Sequence, residues 1–87
     1  MGRGLGEVQR SILEALREDA ASEPWPGLRV ARLTRVLYGR RPTPAQVESV
    51  RRAVHSLEAR GLIELRPTLG RGLRATLAEQ QRQPLAA

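Results

Sequence analysis

Residues 43–74, TPAQVESVRRAVHSLEARGLIELRPTLGRGLR, decide how the rest of the chain is read. Thr43 can cap a helix, Pro44 suits the first helical position because its missing N–H is one that a helix start leaves unused, and Gln46 can reach back to close a capping box. Val47, Val50, Val54 and Leu57 then recur at spacings of three, four and three, one apolar stripe of a helix that runs to about Arg60. Gly61 ends it. Leu62 to Arg66 reads as a strand, Pro67 to Gly72 as a turn, and Leu73, Ala75 and Leu77 as the alternating inward positions of a returning strand.

Working outward, Leu5, Val8, Ile12 and Leu16 are spaced by three and four and predict a first amphipathic helix from about Leu5 to Ala20. Leu13 stands next to that stripe and is expected to be buried within the monomer. Glu23-Pro24-Trp25-Pro26-Gly27 cannot continue a helix, because proline lacks a donor and restricts the residue before it. It is expected to form a tight loop whose Trp25 folds back on the core edge, the alternative being an aromatic platform for stacking. Leu28-Arg29-Val30 suits a short strand, and Leu33, Val36 and Leu37 lie on one face of a second helix from about Ala31 to Tyr38, closed by Gly39 and followed by the turn Arg40-Arg41-Pro42. The pattern predicts one α+β, mainly helical domain over 5–77, with three helices and a two- to three-stranded antiparallel sheet. Residues 78–87 are expected to be a frayed or disordered tail.

Charge is unevenly placed. Residues 1–26 hold five acids against three arginines, whereas residues 27–77 hold eleven arginines against Glu48, Glu58 and Glu64, a net of +8. Such a block of one sign is the footprint of a polyanion partner. All fifteen basic residues are arginine. A GC-rich coding sequence accounts for the missing lysine, yet the consequence stands: each guanidinium can fork onto a phosphate or a guanine edge.

Several classes are set aside by composition. There is no cysteine, and His55 is the only histidine, so no cluster has zinc-ligand spacing and neither a metal nor another cofactor is expected. No apolar run approaches the roughly 20 residues of a membrane helix, so no membrane partner is expected and the location expected is cytoplasmic, with the nucleoid. An enzyme is not expected either. Glu18 and Asp19 are sequence neighbours rather than a converging pair, His55, Ser56 and Glu58 share one helix and make no triad, and Gly70-Arg71-Gly72 is too short to cradle a phosphate. No small-molecule ligand is evident.

At about 100° per residue, the stripe of the third helix sends Arg52 to the opposite side, flanked by Glu48, Ser49, His55, Ser56 and Ala59, with Ala45 extending that face toward Thr43. Small and polar residues around a central arginine can enter a major groove about 12 Å wide. Arg66 and Arg74 flank the turn of the hairpin and Arg71 occupies its tip, within reach of a minor groove or the flanking backbone. Arg40 and Arg41 would meet phosphates beside the groove, joined by at least one of Arg29, Arg32 and Arg35. About five neutralised phosphates give a log–log salt slope of about −4 to −5.

The stretch from Thr43 to Leu65, with Arg51 to Ile63 at its centre, resembles the recognition-helix-to-wing segment of bacterial winged helix-turn-helix regulators, including the MarR-like and GntR-like families. The resemblance covers residues 5–77 at the level of the superfamily. It implies double-stranded DNA as partner, a small transcriptional regulator as function, and contacts by Ser49, Arg52 and Ser56 in the major groove and by Arg71 at the wing. Unlike in those regulators, no effector domain and no long terminal helices are expected, which leaves a homodimer open. A second reading is a winged-helix adaptor for an acidic protein, distinguished by an exposed apolar patch rimmed with charge. RNA is a weaker third reading, since Trp25 and Tyr38 are the only aromatics available for stacking.

Overall fold

Both ends of the third helix are set by the residues that frame it in the sequence. The computed structural model, which describes residues 5–70 and 72–78, places this helix, α3, at Pro44–Ala59. Thr43 Oγ1 accepts the Gln46 N–H at 3.1 Å, and Gln46 Oε1 accepts the Thr43 N–H at 2.9 Å, so the capping box is closed from both sides. At the other end Gly61 takes φ +77°, its N–H donating to Glu58 O at 2.9 Å while the Leu62 N–H donates to Leu57 O at 3.0 Å. This pair of bonds is a Schellman motif, which a residue with a Cβ enters only with strain.

The first helix, α1, spans Glu7–Ser22, shifted about two residues from the expected range. It runs past Ala20 because nothing before Pro24 opposes it. Glu23, which precedes the proline, is extended at φ −115° and ψ 137°. Strand β1 is Leu28–Arg29, and helix α2, Val30–Tyr38, follows it directly. Strands β2, Ile63–Pro67, and β3, Leu73–Leu77, form the hairpin, and β1 pairs with the far side of β3, giving a three-stranded antiparallel sheet in the order β1-β3-β2. The result is α+β and mainly helical, with a winged-helix-like topology.

The core lies between the helices and the inner face of the sheet. Ile12, Leu16, Leu33, Val50, Val54 and Leu57 are fully buried, and Ile63, Ala75 and Leu77 close the core from the sheet. Leu13 is buried at 3% exposure, within the monomer as its spacing predicts. Ala78 still belongs to the fold rather than to a tail: it is buried, and its N–H donates to Leu62 O. The remainder of the expected tail and Arg71 lie outside the described residues.

Three expectations about apolar side chains are corrected. Trp25 does not fold back on the core edge but is 83% exposed, because Pro24 and Pro26 hold its loop out and the Gly27 N–H, donating to Asp19 Oδ2 at 2.6 Å, straps the loop to the end of α1. Val36 is 53% exposed. The buried stripe of α2 is instead Val30, Leu33, Thr34 and Leu37, with Thr34 admitted to the interior because its hydroxyl donates to Val30 O at 3.0 Å. Val47, on the margin of the α3 stripe, is half-exposed, since the core begins one turn later at Val50.

The cap yields a test of the fold. Thr43→Ala is expected to lower unfolding free energy by about 1 kcal/mol, with Thr43→Ser retaining most of it, as read from urea denaturation.

Candidate nucleic-acid interface

With Val50, Ala53, Val54 and Leu57 turned inward, the period of α3 turns Ala45, Glu48, Arg52 and His55 outward, and all but the half-buried Glu48 are exposed. One carboxylate organises this face. Glu48 accepts two bonds from Arg51, from Nη2 at 2.8 Å and from Nε at 3.1 Å, and a third from Arg52 Nε at 3.3 Å. Hydrogen bonds from Arg51 act most strongly and, with the charge of Arg51 and the contact with Arg52, outweigh the opposing effect of desolvation and hold the Glu48 carboxyl below the usual carboxylate range. Arg51 is in turn held more firmly in its charged form. Since two guanidiniums share one acid, the cluster keeps a net positive charge.

The expected site residues divide between the two sides of α3. Ser49, Arg52 and Ser56 border a shallow concavity against the start of α1, where Gln9 Nε2 donates to Ser56 Oγ at 3.0 Å. The Ser56 hydroxyl is thus engaged inside the protein and half-buried. On the other side Val47, Arg51 and His55 border a cleft of about 320 Å³ whose opposite wall is Arg29, Val30 and Leu73. The floor is largely apolar and the rim basic.

Arg40 and Arg41 are exposed in the turn that leads into α3, and Thr43 behind them spends its hydroxyl on the cap. Arg66 and Arg74 do not join the α3 face. They stand opposite each other on the outer face of the sheet, where Arg66 Nη2 also bonds Glu64 Oε1 at 3.2 Å. Arg71, expected at the hairpin tip, lies outside the described residues. Its neighbour Leu69 is fully exposed, and the Thr68 N–H donates to Gly72 O across the turn. Arg32 and Arg35 are exposed on α2.

Arg51 is the residue that sequence reasoning passed over; Arg29 was expected among the phosphate contacts but not at this cleft. Arg51 sits on the flank of the α3 stripe, and the signal available was its spacing of three from Glu48, a favourable pair on a helix surface. Arg29 reaches the cleft only because β1 pairs with β3, a contact between distant segments. Among the described residues no three acids or histidines gather to hold a metal, and no helix is long and apolar enough to cross a membrane.

A phosphate approaching Arg51 or Arg52 competes with Glu48, so Glu48→Gln is expected to tighten duplex binding severalfold near neutral pH, as measured by anisotropy of a labelled duplex. Because the Glu48 pKa is depressed, its ion pairs are intact above the ordinary carboxylate pKa of 4.5 and are lost as pH falls below it. The advantage of the glutamine variant is therefore expected to shrink in that lower range. No family model, curated protein or solved structure matches the chain, so the reading of this surface rests on its own geometry and charge.

Proposed function

We propose that the protein binds double-stranded DNA, with α3 in the major groove and the hairpin against the adjoining backbone, and that it acts as a small transcriptional regulator. The observation that carries this reading is the state of the α3 face around Arg52: the acid on it, Glu48, is already paired with two arginines, whereas Glu58 is exposed near the far end of the helix. Arg51 and Arg52 therefore present a basic face beside His55, extended by Arg40 and Arg41 before the helix. A groove lined with acceptors and flanked by phosphates is complementary to such a face. Regulation follows from the resemblance to winged helix-turn-helix regulators rather than from any single contact.

The cleft between α3 and β3 favours a second reading. Val30, Val47 and Leu73 are apolar and line one cleft with Arg51 and His55, an apolar patch bordered by a basic side chain, as expected of an adaptor for an acidic protein.

Binding to random-sequence duplex across a salt series separates the two. DNA binding predicts a log–log slope of about −4 to −5, reduced by about one unit in Arg51→Ala if that residue neutralises a phosphate. Arg52→Ala is expected to weaken binding about tenfold to a hundredfold at a preferred site, the scale of a lost base contact. Absence of duplex binding at low salt would overturn the DNA reading and leave the adaptor.

A further inference from the structure

The outer face of the sheet holds an arrangement that recognition by α3 leaves unused. Register sets Arg29 opposite Arg74 and Arg74 opposite Arg66, so one cross-strand row is arginine on all three strands, and all three residues are exposed. Adjacent strands lie only about 4.8 Å apart. Like charges directly opposite each other in a sheet are unfavourable. Glu64 answers Arg66, but among the described residues no carboxylate lies within ion-pair distance of Arg29 or Arg74. The row is thus positive, continuous across the sheet and without internal neutralisation at two of its three positions.

One member of the row is seated by the backbone itself. Gly27 has φ +138°, and a Cβ added there would stand 2.8 Å from Arg74 Nε and 2.8 Å from Thr76 Cγ2. The Arg74 side chain lies across a place that only glycine leaves open. The same loop, strapped to Asp19, presents Trp25 two residues earlier, and two residues span at most about 7 Å. An exposed indole therefore stands on the loop that the Arg74 side chain crosses, at one end of a row in which two guanidiniums have no acid partner among the described residues.

We propose that this face binds single-stranded nucleic acid, with phosphates along the Arg29–Arg74–Arg66 row and an unstacked base on Trp25. A basic track beside an exposed aromatic is the combination by which single strands are held. A duplex would satisfy the arginines but keeps its bases stacked and gives the indole no partner. None of these residues is on α3; Arg66 and Arg74 belong to the hairpin that the duplex reading sets against the backbone, so the two readings share those arginines and are told apart by Trp25 and Arg52.

Trp25 is the only tryptophan, so its fluorescence reports the contact directly. Titration with a short oligothymidine is expected to give saturable quenching, and an abasic strand of equal length none. Affinity is expected to fall with salt at a log–log slope of about −2, the value for three phosphates of a single strand. Arg66→Gln and Arg74→Gln should each weaken binding severalfold, and Trp25→Ala by about tenfold or more in anisotropy of a labelled strand. Arg52→Ala should leave the quenching curve unchanged while weakening duplex binding. No quenching, equal binding of the abasic strand, preference for duplex at Trp25, or loss of quenching in Arg52→Ala would each overturn the proposal. Retained quenching in a protein that fails to bind duplex would overturn the α3 reading and leave this one standing.

Discussion

The period of one helix governs the arrangement of this protein. Burying Val50, Val54 and Leu57 of α3 against Ile12, Leu16 and Leu33 fixes the helix about its own axis. Once that rotation is fixed, Glu48, Arg52 and His55 must face water. The capping box at Thr43 and the Schellman motif at Gly61 then set where the helix begins and ends, and so where the turn before it and the strand after it can lie. The two basic surfaces follow from this: one on the exposed side of α3, and one on the sheet that the end of α3 delivers.

Electrostatics distinguishes those surfaces. On α3 a carboxylate is interposed between two arginines, so the free protein already satisfies part of its own charge, and a polyanion must displace Glu48 to engage fully. Exposed pairs of this kind contribute little to stability because water and salt screen them. On the proposed DNA reading their effect would be on binding, where they set what an incoming phosphate must replace. On the sheet the arginines face one another, and among the described residues only Arg66 has an acid beside it.

Most of the architecture was legible in the sequence because its signals are local. Thr43, Pro44 and Gln46 mark a helix start by chemistry within four residues, and Gly61 marks the end by a backbone angle. What was not legible depends on contacts between distant segments. Trp25 was expected against the core on hydrophobicity alone, but the prolines beside it and the bond from Gly27 to Asp19 hold it outside. Val36 lost its place to Thr34, whose hydroxyl is satisfied by its own helix, something periodicity counted over apolar residues does not register. The candidate site was legible as a set of exposed arginines but not as two sides of a helix: the bond from Gln9 that engages Ser56, and the strand pairing that brings Arg29 beside Arg51 and aligns it with Arg74, appear only once α1 and β1 are in place.

On the proposed reading the duplex lies against α3, with the hairpin beside it. Amide chemical-shift mapping of the labelled protein during titration with a short duplex tests it most directly. The account predicts perturbations concentrated at Arg40, Arg41, Glu48, Arg51, Arg52 and His55, with the amides of Glu14, Arg17 and Glu18 on α1 unmoved. Perturbations centred on α1, or none on α3 at saturating duplex, would contradict it.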